Sequence, residues 1–302
     1  MTRHPVFRRV VVVVVVVFFS AAARAADIRI VGSDLLGLEF FKALYAFAGA
    51  ESIPVTLALD GSRTGLDQLK AGRAELALLT LPPGDDIDAA VFADVPLGWH
   101  CVVVVVPSAA PLHRVDFFQL AAIFGADRPV NYQRWGELGP VGEWAGSTIA
   151  PFAPAVGQNL TAEIFRDAVL RGKAIKAHVG RYTSSVDLSR QFGGESRGIA
   201  LSPALPASAQ GTRRLPVAVR ASAPAYFPTP ESLQSGDYPL RLPLRVVYRR
   251  HADGTVRPLL RFLFSDSVAQ IFERAGIVPQ PVAARRQHEL TRGFVEGEIL
   301  RK

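Results

Sequence analysis

LALDGSRTGLDQLKAGRAELALLTLP, from Leu57 to Pro82, is the stretch whose reading decides the fold. It divides into a short apolar strand, a Gly/Ser-rich turn (Asp60, Gly61, Ser62, Arg63, Thr64, Gly65), an amphipathic helix and a second apolar run. Such a turn between strand and helix aims several backbone N–H groups and hydroxyls at one point, where the helix dipole also favours negative charge. The segment is therefore a candidate anion cradle.

Working outward, the same order occurs twice more. Asp27 to Val31 alternates as a strand, Gly32-Ser33-Asp34 is a small polar turn, and a helix follows from about Leu35 to Ala48 with Leu36, Phe40, Leu44 and Phe47 on one face. Ser33 is placed to cap that helix and to offer its hydroxyl to a ligand. Val55 to Leu59 is the next strand. Further on, Ser147 to Ala150 reads as a strand, Phe152 to Gln158 as a loop, and Asn159 as the cap of a helix reaching about Leu170. Between these units lie Val91 to Val95, the buried run Trp99 to Val106, and a short helix with its apolar face at Phe117, Leu120 and Phe124. Arg181 to Ser185 reads as a polar link, Gly198 to Ser202 and Leu215 to Val219 as strands, and Leu244 to Tyr248 as a second long apolar strand. Pro258 to Phe264 with Val268 to Gly276 forms an amphipathic helix pair, and Val282 to Lys302 a charged surface helix.

At 302 residues and 49% apolar composition, the chain can bury a full core and divides into two domains rather than one. Its first residues combine Arg3, Arg8 and Arg9, an apolar run from Val10 to Phe19, and Ser20 to Ala26 rich in alanine. That pattern is a secretory signal peptide with cleavage expected after Ala25. The apolar run is too short for a membrane span, which needs about 20 residues. Removing residues 1–25 takes away four arginines and no acids, so the formal charge drops from +7 to +3. The basic balance belongs largely to the leader and argues neither for nucleic acid nor for stable membrane insertion. A single cysteine, Cys101, excludes an intramolecular disulfide, and its apolar surroundings make it an inert core residue. The expected location is the periplasm.

Other chemistry is poorly supported. Gly194-Glu195-Ser196-Arg197-Gly198 matches a nucleophile elbow in letters, but a strand follows it where the elbow needs a helix. The six histidines, His4, His100, His113, His178, His251 and His288, show no pair at ligand spacing, so no metal, cofactor or catalytic residue is expected.

The order of landmarks from Ile28 to Pro279 resembles the phosphate-type periplasmic substrate-binding proteins of ABC transporters. The landmarks are the Gly32-Ser33 turn; Gly61-Ser62 with Gly65-Leu66, Leu69, Gly72 and Leu76-Ala77; Leu120, Ile123-Phe124-Gly125 and Trp135; Gly198-Ile199; Tyr238-Pro239-Leu240; and Ser265, Gln270, Gly276 and Val278-Pro279. The resemblance implies an α/β, two-domain periplasmic-binding-protein-like fold (type II). Each domain would be a mostly parallel sheet flanked by helices, joined by two crossing strands. The domains would comprise residues 26–102 with 247–302, and 103–246. It implies a monomer that captures phosphate or a related oxyanion for an ABC-transporter permease. The expected ligand-binding residues are Ser33, Asp34, Gly61, Ser62, Arg63, Thr80, Gly157, Gln158 and Asn159. Two departures stand out: Thr80 occupies the place where the family's phosphate binders carry an Asp, and the Arg they carry before the third helix has no counterpart in Pro151 to Asn159. The alternative reading is a fold that has lost oxyanion binding and serves as an envelope interaction or sensing module.

Overall fold

The computed structural model describes residues 27–82, 87–155, 160–194, 197–203 and 211–291. The leader assigned to residues 1–25, and the end of the charged C-terminal helix, lie outside them.

The first half of the molecule is built on parallel strands β1 (Ile28–Gly32), β2 (Val55–Ala58) and β3 (Leu76–Thr80), with helices α1 (Gly37–Ala50) and α2 (Ser62–Lys70) as the connections. The chain then enters β4 (Phe92–Pro107), a 16-residue strand that runs out of this half into the next. The second half holds β5 (Val115–Asp116), α3 (Phe117–Phe124), β6 (Ala150–Pro154), α4 (Thr161–Ala168), β7 (Gly180–Tyr182), α5 (Ser185–Gly194), β8 (Gly198–Pro203), β9 (Thr212–Leu215), β10 (Val217–Ala218) and α6 (Pro230–Ser235). Strand β11 (Arg241–Arg249) returns to the first half, which α7 (Asp253–Phe264), α8 (Asp266–Arg274), β12 (Val278–Pro279) and α9 (Val282–Thr291) complete.

Strand order is β2-β1-β3-β11-β4-β8-β6-β7. In the first half β11 runs antiparallel between β3 and β4, and in the second β6 is parallel to both β7 and β8. The fold is thus the two-domain α/β arrangement with two crossing strands. One apolar cluster, with Val102 to Val106, Phe124, Trp135, Phe165 and Tyr238, fills the second half. The first half has two: Phe40, Tyr248, Phe264 and Phe272 under α1, α7 and α8, and Leu66, Leu69, Leu79 and Val247 under α2.

Several local expectations are corrected. The runs Val91 to Val95 and Trp99 to Val106 form one strand, because a register shift pairs Leu244 with Gly98 but Arg245 with Pro96. The extra residue on β4, Leu97, is a bulge beside the proline, which cannot donate to a regular ladder. Ser147 to Ala150 is not the strand that precedes α4. The Ser147 carbonyl accepts from Trp135 N and Thr148 bridges Arg134, so this segment is engaged with the preceding turn and β6 starts at Ala150. Arg181 to Ser185 is no mere link: Tyr182 sits in β7, buried, with its hydroxyl donating to the Leu201 carbonyl at 2.6 Å. Proline 216 divides the expected strand Leu215 to Val219 into β9 and β10. Helix α1 begins at Gly37, two residues later than expected, without a side-chain cap. Helix α5 precedes Glu195 and Ser196, which lie outside the described residues, and β8 follows them; that order is the reverse of a nucleophile elbow.

Two glycines lock α2 to the sheet. Gly32 ends β1 at φ +126°, and a Cβ there would lie 2.0 Å from the Leu78 carbonyl oxygen. Gly65 in α2 sits so close that its own Cβ would be 2.5 Å from Gly32 Cα. Gly61, the residue before α2, has φ +100° and ψ 153°, but a Cβ there meets no atom within 4 Å. Gly32→Ala is therefore expected to destabilise by about 3 kcal/mol or more through clash added to strain, and Gly61→Ala by only about 1–3 kcal/mol through backbone strain alone. Urea midpoints of the two variants, compared at equal slope, check the difference.

A second prediction concerns His100 on the crossing strand. Burial pushes its imidazole down from the usual 6.5 to about 4, and its Nε2 is buried without a partner. The unfolded chain takes up this proton near pH 6.5 while the folded one resists until about 4, so stability falls as pH drops through that window, by up to about 3 kcal/mol. His100→Gln should flatten that part of the stability curve, as measured by denaturant unfolding at pH 7, 5.5 and 4.5.

Candidate functional site

The C-terminal ends of β1, β2 and β3 meet in a hydrogen-bonded knot. Ser33 N donates to the Leu78 carbonyl at 2.7 Å, which fixes the turn after β1 against β3. Gly61 N donates to the Gly32 carbonyl at 2.9 Å, which fixes the turn after β2 against β1. Thr80 N donates to Ser62 Oγ at 2.9 Å, which ties the end of β3 to the first residue of α2. Residues 33, 62 and 80, far apart in the chain, are thereby held around one point. Such positions, at the carboxyl ends of strands in an open α/β sheet, are where ligands of these folds bind.

The chemistry of the knot follows from which atoms are already engaged. Ser33 is buried, and its Oγ accepts from Leu35 N at 3.3 Å; it does not cap α1, as expected from the sequence, but closes the turn just before it. Ser62 Oγ accepts from Thr80 N. A hydroxyl that accepts a backbone N–H still has its own proton to donate. Both serines are therefore set to donate to an acceptor-rich group. Thr80 Oγ1 is buried with no hydrogen-bond partner, a cost of about 1–3 kcal/mol unless a ligand supplies one. Helix α2 adds its amino end, with Gly61 preceding it in an extended conformation open to only a glycine.

Of the other expected contacts, Asp34 and Arg63 are exposed, and Gly61 forms the turn itself. Gly157, Gln158 and Asn159 lie outside the described residues; the residue preceding α4 is Leu160. Nearby, Arg245 on β11 is nearly buried and bonded to Asp94 at 2.7 Å, where burial holds the Asp94 carboxyl above its usual range against the pull of that guanidinium.

On the opposite side of the cleft sequence reading singled out Gly157 to Asn159, which lie outside the described residues, but not the cavity beside them. A cavity of about 120 Å³ lies where the two halves face each other, lined by Leu35 before α1, His100 and Cys101 on β4, Leu160 and Ile164 of the α4 region, and Gly276 after α8. The available signal was the single polar side chain in the apolar run Trp99 to Val106, which is His100. Cys101 is the inert core thiol expected, its ionisation pushed up to about 12 by burial. Among the described residues no group of His, Cys, Asp and Glu could hold a metal ion, and no helix is long and apolar enough to cross a membrane.

No family model matches the chain. It is 22% identical to Protein SphX of Synechococcus elongatus over 247 residues, covering 78% of this chain and 71% of that protein. Among solved structures, it is similar to a possible phosphate binding protein from Planctomyces limnophilus, at 17% identity and a TM-score of 0.69, over 90% of this chain and 99% of the other. It is also similar to PstS from Borrelia burgdorferi, at 15% identity and a TM-score of 0.68, over 84% and 98% of the two chains. By its strand order, its two crossing strands and these likenesses, the chain has the two-domain fold of the phosphate-type substrate-binding proteins.

Proposed function

We propose that this chain is an exported solute-binding protein that captures a tetrahedral oxyanion between its two halves and delivers it to an ABC-transporter permease. The observation that carries this reading is the engagement of Ser33 Oγ and Ser62 Oγ as acceptors, which leaves both hydroxyl protons for a ligand that only accepts. Thr80 Oγ1 and the amino end of α2 supply further donors, and Arg63 on the rim contributes a solvent-screened charge. The name of the Planctomyces limnophilus neighbour, a possible phosphate binding protein, fits a phosphate-like ligand. The basic, apolar and alanine-rich order of residues 1–25 supports export to the periplasm, and the +3 charge left after its removal supports a protein that relies on neither nucleic acid nor membrane. Residues 26–102 with 247–302, and residues 103–246, would be the two bodies that close on the ligand by bending where β4 and β11 cross.

Thr80 alters what such a site can tell apart. A carboxylate at this position would accept the proton of a hydrogen phosphate and repel an anion that carries none. Threonine can donate to either, so discrimination between phosphate and sulfate is largely gone. The second reading, a fold without oxyanion affinity, is favoured by Thr80 in place of an Asp, by the missing arginine before the third helix, and by the exposed Asp34 carboxylate, which adjoins Ser33 and disfavours an incoming anion.

Calorimetric titration of the purified protein separates the two. Phosphate and sulfate should bind within about tenfold of each other, a difference under ~1.4 kcal/mol. Ser62→Ala should weaken both at least tenfold, and Arg63→Ala only two- to threefold with the loss vanishing at high salt. Because Ser62→Ala also strands the Thr80 N–H, its unfolding midpoint is measured alongside. Absence of heat with phosphate, sulfate and molybdate at millimolar concentrations would overturn the transport reading.

A further inference from the structure

We propose that the ligand is not a bare inorganic oxyanion but one bonded to a short, neutral organic group, the head on Ser33, Ser62 and Thr80 and the organic group in the cavity beside His100. The inference rests on the oxyanion reading above and names the ligand class of that site.

Three observations converge on it. The first is place. Alternation along paired strands puts Thr80, its partner Leu244, the Gly98 opposite Leu244, and His100 on one face of the sheet. Two strand spacings and two residues of rise separate the Cα atoms of Thr80 and His100 by about 12 Å. Side chains on one face stand side by side, so a ligand hydrogen-bonded to both spans about 6 Å between its outer polar atoms, the length of an oxyanion head carrying a substituent of two or three atoms. Leu35, which lines the cavity, is also the residue whose N–H holds Ser33 Oγ, so cradle and cavity share a wall.

The second observation is the lining. Leu35, Leu160, Ile164 and Pro203 present apolar surface to a space of about 120 Å³, about half of whose walls are apolar and the rest polar, with His100 and Thr161 among the lining. For comparison, an engineered apolar cavity of about 150 Å³ admits benzene. A bare phosphate or sulfate leaves such walls uncovered, or else lies against them with its charge desolvated, which is costly. A short carbon chain covers them.

The third observation is His100 itself. Its Nε2 is buried and has no partner in the protein, so the cavity holds an unmet polar group beside its apolar walls. Burial keeps this imidazole uncharged at neutral pH, its proton affinity lowered to about 4. A neutral ring complements a hydroxyl or similar uncharged polar atom on the substituent, and offers no charge to a second anionic group. Phosphonates, phosphate monoesters and sulfonates share the required chemistry.

The test titrates the purified protein with 2-hydroxyethylphosphonate, ethylphosphonate, 2-hydroxyethanesulfonate and inorganic phosphate. The hydroxyethyl compounds should bind at least tenfold more tightly than phosphate, and 2-hydroxyethylphosphonate about fivefold or more tightly than ethylphosphonate; the phosphonate and sulfonate arms identify the head. Ala275→Trp, at an exposed residue that lines the cavity from the end of α8 and takes no part in the cradle, should weaken the organic ligands tenfold or more and leave phosphate within twofold. His100→Leu should bring 2-hydroxyethylphosphonate and ethylphosphonate to equal affinity. Phosphate binding as tightly as the organic anions, with Ala275→Trp affecting none selectively, would overturn the proposal and leave the oxyanion reading standing. No binding by any of the four compounds would overturn both.

Discussion

The contact on which the site depends is the approach of two backbones at Gly32 and Gly65. With no side chain on either residue, α2 settles onto the end of β1 so closely that an added carbon on Gly65 would lie 2.5 Å from Gly32 Cα. This approach brings the amino end of α2 down to the sheet. From it follow the Gly61 N–H to Gly32 carbonyl bond and the Thr80 N–H to Ser62 Oγ bond. The cradle is thus a consequence of helix–strand packing, and its hydroxyls are oriented by backbone groups that have few alternatives. Preorganisation of this kind lowers the ordering cost that a ligand must overcome.

The second constraint is the pair of crossing strands. Strand β4 contributes its first residues to one sheet and its last to the other, and the bulge at Leu97 lets Pro96 sit inside it without breaking the ladder with β11. Tyr238, fully buried, donates its hydroxyl to the Val102 carbonyl at 2.5 Å just where the chain turns back toward the first half. Arg274 and Glu39, bonded at 2.5 Å, join α8 to α1 across the surface of that half. Such an exposed pair adds little to stability. The apolar contacts of Phe40 with Phe262 and Phe272 beneath it do more of the holding.

The turn from Asp60 to Gly65 and the strands around it were legible because their signals are local. Apolar runs of strand length, a helix with Leu66 and Leu69 on one face, and glycines at the joints each constrain a few neighbouring residues. Ser62 could be nominated from that pattern, and Ser33 from its repeat. Their exact partners could not. Ser33 looked like a helix cap and instead closes a turn through Leu35 N, because Gly37 delays the start of α1. The strand before α4 was placed too early because Ser147 and Thr148 pair with the preceding turn, a contact that spans a dozen residues and leaves no period in the sequence.

The sequence by itself determined the α/β class, the strand-to-helix turns and the hydroxyl-bearing residues at their tips, since these depend on backbone preferences acting over a few residues. Only the tertiary structure decided what faces them. His100 on β4, Leu35 in the turn before α1 and Ile164 on α4 are far apart in the chain, and they line one cavity because the register of β4 and β11 and the docking of α4 bring them together. Register and docking are set by the burial of whole faces, a property distributed over the chain, so no local pattern could announce that the hydroxyls at the strand ends would share a wall, through Leu35, with a cavity formed by both halves.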